Sequence, residues 1–172
     1  MTSLKIAAIA LTALAACHDQ PVPPAREFDA AAAMQYLTTQ MSFGPRIPKT
    51  AGHAREAAWL DSMLRSRADT VILQQWTHVT GKGDSLPLTN VIARFRTGAT
   101  ERLLFLAHWD TRPYSDGPNS KDRTAPVPGA NDGASGVAVL LGVADALKRV
   151  PPAIGVDLLF VVRFDAEFAS LS

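Results

Sequence analysis

Between residues 28 and 162 the spacing of apolar side chains switches between two periods, and the switches divide the chain into elements. Val137, Leu140, Leu141, Ala144 and Leu147 recur at i, i+3, i+4, i+7 and i+10, one face of an α-helix. A helix over 133–150 is predicted, stopped by Pro151 and Pro152. Two earlier helices are predicted. One is alanine-rich, over 28–41, and is ended by Ser42-Phe43-Gly44-Pro45-Arg46. The other, over 53–68, sets Ala57, Leu60 and Leu64 inward with Glu56, Asp61 and Arg65 outside. His53 has no second ligand at helical spacing and reads as a surface or capping residue. The strand period appears over 70–79, where Val71, Leu73 and Gln75 alternate with Ile72, Gln74 and Trp76. Gly81-Lys82-Gly83-Asp84 turns the chain back into a strand over 88–95, and Gly98 turns it again. The run Leu103-Leu104-Phe105-Leu106-Ala107 reads as a buried central strand, and 155–162 as a strand covered on both faces. Helices followed by strand, strand, strand, helix, strand make an α/β class.

The first 27 residues have neither period. Residues 1–16 carry Lys5 and then Ile6 to Leu14, too short to span a bilayer and of the form of a signal peptide. Cys17, the only cysteine, follows Leu14-Ala15-Ala16, which resembles a bacterial lipoprotein cleavage box with Cys17 as the lipidated residue; the alternative is an ordinary secretory leader. Export to the bacterial cell envelope, lipid-anchored on the periplasmic side, is the corresponding expectation. Residues 17–27, with three prolines, read as an extended tether, leaving 28–172 as the folded domain. A net charge of +1, from 17 basic and 16 acidic residues, gives no electrostatic reason for a nucleic-acid partner.

Chemistry concentrates at the end of the 102–107 strand. His108 sits there with Asp110 two residues on, and Asp132 lies in the turn Gly129-Ala130-Asn131-Asp132-Gly133 before the best helix. A strand end and a helix start meeting at one edge of an α/β sheet is where such folds place ligands. Imidazole nitrogen and carboxylate oxygen suit Zn²⁺, and Asp110 is positioned to orient His108 through its other ring nitrogen. Spacing alone leaves the alternative open that His108 and Asp110 are a structural pair and Asp132 a helix cap. The polar stretch 113–128 reads as a long loop between the two candidates, with Trp109 and Tyr114 either lining a pocket or packing.

The run His108-Trp109-Asp110-Thr111-Arg112-Pro113-Tyr114, followed by Pro128-Gly129-Ala130-Asn131-Asp132-Gly133-Ala134-Ser135-Gly136-Val137, resembles the metal-site core of the M28 zinc peptidase family, and within it the bacterial zinc-dependent glutaminyl cyclases (glutaminyl-peptide cyclotransferases). Phe43-Gly44-Pro45-Arg46-Ile47-Pro48, Ala68-Asp69-Thr70-Val71, Leu88-Thr89-Asn90-Val91-Ile92-Ala93 and Gly155-Val156-Asp157-Leu158-Leu159-Phe160 match in family order. The resemblance implies an α/β, three-layer helix–sheet–helix fold with a twisted mixed sheet, zinc-aminopeptidase-like and incomplete at the C-terminus. It implies Asp132 as a zinc ligand, with His108 a ligand in the peptidase form and Asp110 shaping the site. Asp165-Ala166-Glu167 resembles the family's acidic motif displaced by a few residues, which makes Glu167 the catalytic candidate, with Phe168 where a metal-binding carboxylate belongs. The family's later aspartate and last histidine have no counterpart, so the chain reads as truncated and is expected to be inactive as it stands. Three functions follow from these readings. The first is a cyclase with one zinc, converting N-terminal glutamine to pyroglutamate with ammonia release. The second is an aminopeptidase with two zincs bridged by Asp132. The third is a non-catalytic, lipid-anchored binding domain or remnant. Peptide N-termini are the partners implied by the first two.

Overall fold

Asp29 and Thr50 determine where the first two helices begin: Asp29 Oδ1 accepts from the Ala32 N–H at 2.9 Å, and Thr50 Oγ1 from the His53 N–H at 3.3 Å. The computed structural model describes residues 28–115 and 117–163. Their helices are α1 (Ala30–Ser42), α2 (Ala51–Arg65) and α3 (Ser135–Arg149), and their strands β1 (Thr70–Val79), β2 (Ser85–Phe95), β3 (Arg102–His108) and β4 (Gly155–Val161). The signal segment, Cys17 and the tether lie outside the described residues, as do Asp165, Glu167 and Phe168. No described helix is long and apolar enough to cross a membrane.

The strands form one mixed sheet in the order β1-β2-β4-β3. β1 and β2 are an antiparallel hairpin, β2 pairs antiparallel with β4, and β3 runs parallel to β4 through the α3 crossover. Register decides which face is covered. Val91, Ala93 and Phe95 stand opposite Phe160, Leu158 and Val156, and all six are buried with Leu60 and Leu64 of α2 and the predicted face of α3. α1 joins the same layer: the Tyr36 hydroxyl donates to Asp145 at 2.6 Å, Arg67 donates to the other oxygen of that carboxylate at 2.7 Å, and the Tyr36 ring meets Trp59.

The α/β class and the mixed sheet are those expected, and the described residues supply its sheet and one helix layer. On the other face, Leu106, Leu159, Ile92 and Ile72 are cross-strand partners in one apolar row spanning all four strands. No described helix covers it, and Leu106 is 62% exposed, Leu104 59%. Hence β3, read from its apolar run as a buried centre, is the sheet edge among the described residues, and the centre falls to β4, covered on one face. An apolar run records that a strand is suited to burial and says nothing of which residues supply the cover. Such a face beside an unpaired edge favours self-association. Leu104→Thr with Leu106→Lys is expected to raise the concentration at which the chain aggregates, read by light scattering. Each change should shift unfolding free energy by no more than about 0.5 kcal/mol. A loss of several kcal/mol would show that the face is covered in solution.

Two side chains of α2 also depart from the sequence reading. Glu56, placed outside by helical spacing, is fully buried, and His53, read as a surface or capping residue, is only 6% exposed. Both lie beneath the segment that follows β3, which the period of α2 alone does not register.

Candidate metal centre

β3 ends at His108, and the parallel run of β4 beside it is held in register through the Trp109 N–H to the Val161 carbonyl at 3.0 Å. The chain then crosses a polar loop that closes on itself, with Ser115 N–H to Ala125 O and Val127 N–H to Arg112 O. It enters α3 through a turn over Ala130–Ala134 in which Asp132 (φ −87°, ψ 94°) and Gly133 (φ +103°) are non-helical. Gly133 is required there twice over: its φ is in the left-handed region, and a Cβ would stand 3.2 Å from His108 Cε1 and 3.2 Å from the Asp110 carbonyl. The non-helical turn puts the Asp132 carboxylate against the strand end. His108 Nε2 lies 3.0 Å from Asp132 Oδ1. The helix-cap alternative fails, because α3 has no side-chain cap.

Around this pair a small cleft is lined by His108, Asp110, Thr111, Arg112, Asp132 and Arg163. Arg112 Nη2 is 3.5 Å from Asp132 Oδ2. Asp110 is nearly buried and accepts from the Arg163 backbone N–H at 2.7 Å. Its Oδ1 is 3.6 Å from His108 Nδ1, beyond hydrogen-bond length, and Nδ1 has no hydrogen-bond partner among the described residues. Asp110 therefore stands beside the ring without the hydrogen bond to its other nitrogen that the sequence suggested. That neighbouring carboxylate, with Asp132 adding to it, raises the His108 pKa above its ordinary value against the opposing effect of burial.

The donors suit zinc in kind and in spacing. Two bonds of about 2.0–2.1 Å at a tetrahedral angle separate their donors by about 3.3 Å, close to the 3.0 Å observed. They account for two positions of a tetrahedral set. Among the described residues no group of three or more His, Cys, Asp or Glu completes it. Arg112 and Arg163 were not singled out in the sequence; no period or spacing marks them, and loop closure brings in Arg112 while the end of β4 beside β3 brings in Arg163.

Beneath the cleft, Trp109 is fully buried, so it packs and lines no pocket, whereas Tyr114 is 45% exposed. The Trp109 ring centroid is 4.2 Å from that of His53, and its Nε1–H donates to Thr89 O at 3.2 Å. Arg46 and Glu56, both wholly buried, approach at 3.0 Å (Nε to Oε2), while the Nε–H is aimed at the Trp109 carbonyl. Neither carboxyl oxygen of Glu56 has a hydrogen-bond partner among the described residues. Burial pushes Glu56 up to about 8 against the pull of Arg46, and burial pushes His53 down to about 4.

The family model of peptidase family M28 matches residues 90–171. No curated protein sequence matches the chain. Among solved structures, a glutaminyl cyclase of Tannerella forsythia is 36% identical with a TM-score of 0.73, over 77% of this chain and 46% of that one. A Zn-dependent exopeptidase of Parabacteroides distasonis is 38% identical, TM-score 0.73, over 78% and 46%. A leucine aminopeptidase precursor of Bacteroides thetaiotaomicron is 36% identical, TM-score 0.74, over 78% and 47%. The chain spans about half the length of these proteins.

Proposed function

The chain belongs to peptidase family M28, and from that premise we propose that it presents part of a zinc site acting on peptide N-termini, in its finer form that of a glutaminyl-peptide cyclotransferase. One observation carries this reading: His108 and Asp132, 24 residues apart, converge to 3.0 Å at the edge of the sheet. The cyclase form is supported by the run Trp109-Asp110-Thr111-Arg112-Pro113 and by the likeness to solved glutaminyl cyclases.

Asp132 is the zinc ligand of this proposal, with His108 beside it. Bound zinc supplies a Lewis acid that polarises the side-chain amide carbonyl of an N-terminal glutamine. Arg112 steadies the second oxygen of Asp132, and Asp110, held by the Arg163 N–H, stands on the far side of the His108 ring. Glu167 takes a proton from the α-amine as its nitrogen bonds to the side-chain amide carbon. It passes that proton to the amide nitrogen, which leaves as ammonia when its bond to carbon breaks. The competing form is an aminopeptidase with two zincs, in which Glu167 activates water; likeness to the exopeptidase and the aminopeptidase precursor, at the same level of identity, favours it.

A glutaminyl peptide incubated with the zinc-loaded chain separates the readings. Ammonia with a pyroglutamyl product supports the cyclase, and free glutamine supports the peptidase. Absence of both products overturns catalysis by this chain and leaves the binding-domain reading. Asp132→Asn is expected to weaken zinc binding by about 100-fold or more by calorimetry; unchanged affinity would remove Asp132 from the site.

A further inference from the structure

We propose that Arg46 is the positioning residue of the centre, its buried guanidinium setting the distance between the two limbs that carry His108 and Asp132; this rests on the zinc reading above. Arg46 follows α1 in sequence and touches neither donor. It is fully buried, and each nitrogen of its side chain donates to one of the two limbs, with Nη1 also 3.9 Å from Met41 Sδ and Nε 3.0 Å from Glu56 Oε2. Nε donates to the carbonyl of Trp109, the residue between His108 and Asp110, at 3.3 Å. Nη1 donates to Pro128 O at 2.6 Å and Nη2 to Gly129 O at 2.9 Å, at the start of the turn that presents Asp132. The backbone adds to the clamp: Arg46 N–H donates to Thr111 Oγ1 at 2.8 Å, and Thr111 N–H donates to Arg46 O at 3.3 Å.

Gly129 completes the fit. Its φ is +70°, and a Cβ there would come within 2.8 Å of Arg46 Nη2 and would also strike the Thr111 methyl. The same carbonyl that accepts from Nη2 accepts the Ala134 N–H at 3.1 Å, so the turn is gripped at its first residue and closed at its last. Glu56 Oε2, 3.0 Å from Nε, is the acidic group that faces this buried guanidinium. Only a planar fork reaches three carbonyls on two limbs at once; a lysine ammonium keeps the charge and loses the geometry.

Arg46→Lys therefore separates charge from geometry, and cobalt(II) in place of zinc gives a readout independent of activity. The wild-type chain is expected to take up one cobalt with the visible bands of a low-coordinate site. Arg46→Lys should bind about 10–100-fold more weakly with altered band intensities. Glu56→Gln, which keeps the fork and removes only the ionisable carboxyl facing it, should stay within about threefold of wild type in affinity even where its melting temperature falls. Should Arg46→Lys fail to fold, Gly129→Ala displaces the turn from the other side and is expected to weaken cobalt binding in the same way. Equal affinity of wild type and Arg46→Lys, or of wild type and folded Gly129→Ala, overturns the positioning role alone. An equal loss in Glu56→Gln also overturns it, because the reach of the fork, which that variant keeps, would then not be the cause. Absence of saturable cobalt binding by the wild-type chain overturns the zinc reading itself.

Discussion

Trp109→Ala is expected to cost about 3–5 kcal/mol of unfolding free energy, the range for removing a fully buried large aromatic, and to lower the melting temperature by roughly 10–20 °C. The indole is 0% exposed and joins three parts of the molecule: the His53 ring of α2, the Thr89 carbonyl of β2, and the end of β3. A cavity there is lined by His53 and lies next to Arg46, so partial collapse would draw polar groups into the gap. Trp109→Phe keeps a ring against His53 and gives up the hydrogen bond to Thr89, a loss of about 1 kcal/mol. Calorimetric melting of both variants checks the pair. A cost below about 1 kcal/mol for the alanine variant would mean that the segment after β3 is not packed as described.

The second large effect is a dependence of stability on pH with two opposing sources, both on α2. His53 titrates near 6.5 when unfolded and is held down to about 4 in the fold by burial. Between those values the unfolded chain binds the extra proton, and stability falls as pH drops from 6.5 towards 4. At about 1.36 kcal/mol per pKa unit the loss is ~3 kcal/mol. Glu56 runs the other way. Its pKa rises from 4.5 to about 8, again through burial. In that window the folded chain holds the extra proton, and stability falls as pH rises. Where the windows overlap, between about 4.5 and 6.5, the two slopes offset each other. Single substitutions expose each one. Glu56→Gln is expected to show the acid loss of His53 across pH 6.5 to 4. His53→Phe, which keeps a ring on Trp109 and removes a buried Nε2 that has no hydrogen-bond partner among the described residues, is expected to show only the decline towards pH 8. Urea unfolding across pH 4–8 measures both. A profile unchanged by either substitution would place these groups in contact with solvent.

Elements with a strong period were legible in advance. The face of α3 and the extent of β1 were read correctly because each is set by spacing along one segment. Helix starts shifted by two residues, later for α1, where Asp29 is the cap, and earlier for α2, where Thr50 caps ahead of the apolar pattern. His108 and Asp132 were legible as candidates from the turn chemistry around them and from resemblance to a family motif. Arg46 was legible only as part of the quoted stretch Phe43-Gly44-Pro45-Arg46. A buried arginine leaves no periodic trace, because its partners are backbone carbonyls with no sequence signature of their own.

The sequence by itself determined the α/β class, the order of elements, and the residue types at the strand end and the turn, since these follow from local periodicity and turn-forming residues. Only the tertiary structure decided that His53 and Glu56 face inward, that β3 stands at the edge of the described sheet, and that His108 and Asp132 come within 3.0 Å. Each of those depends on contacts between segments far apart in the chain. Their sign is set by what the folded chain brings opposite a residue, which the pattern on either side of it does not contain.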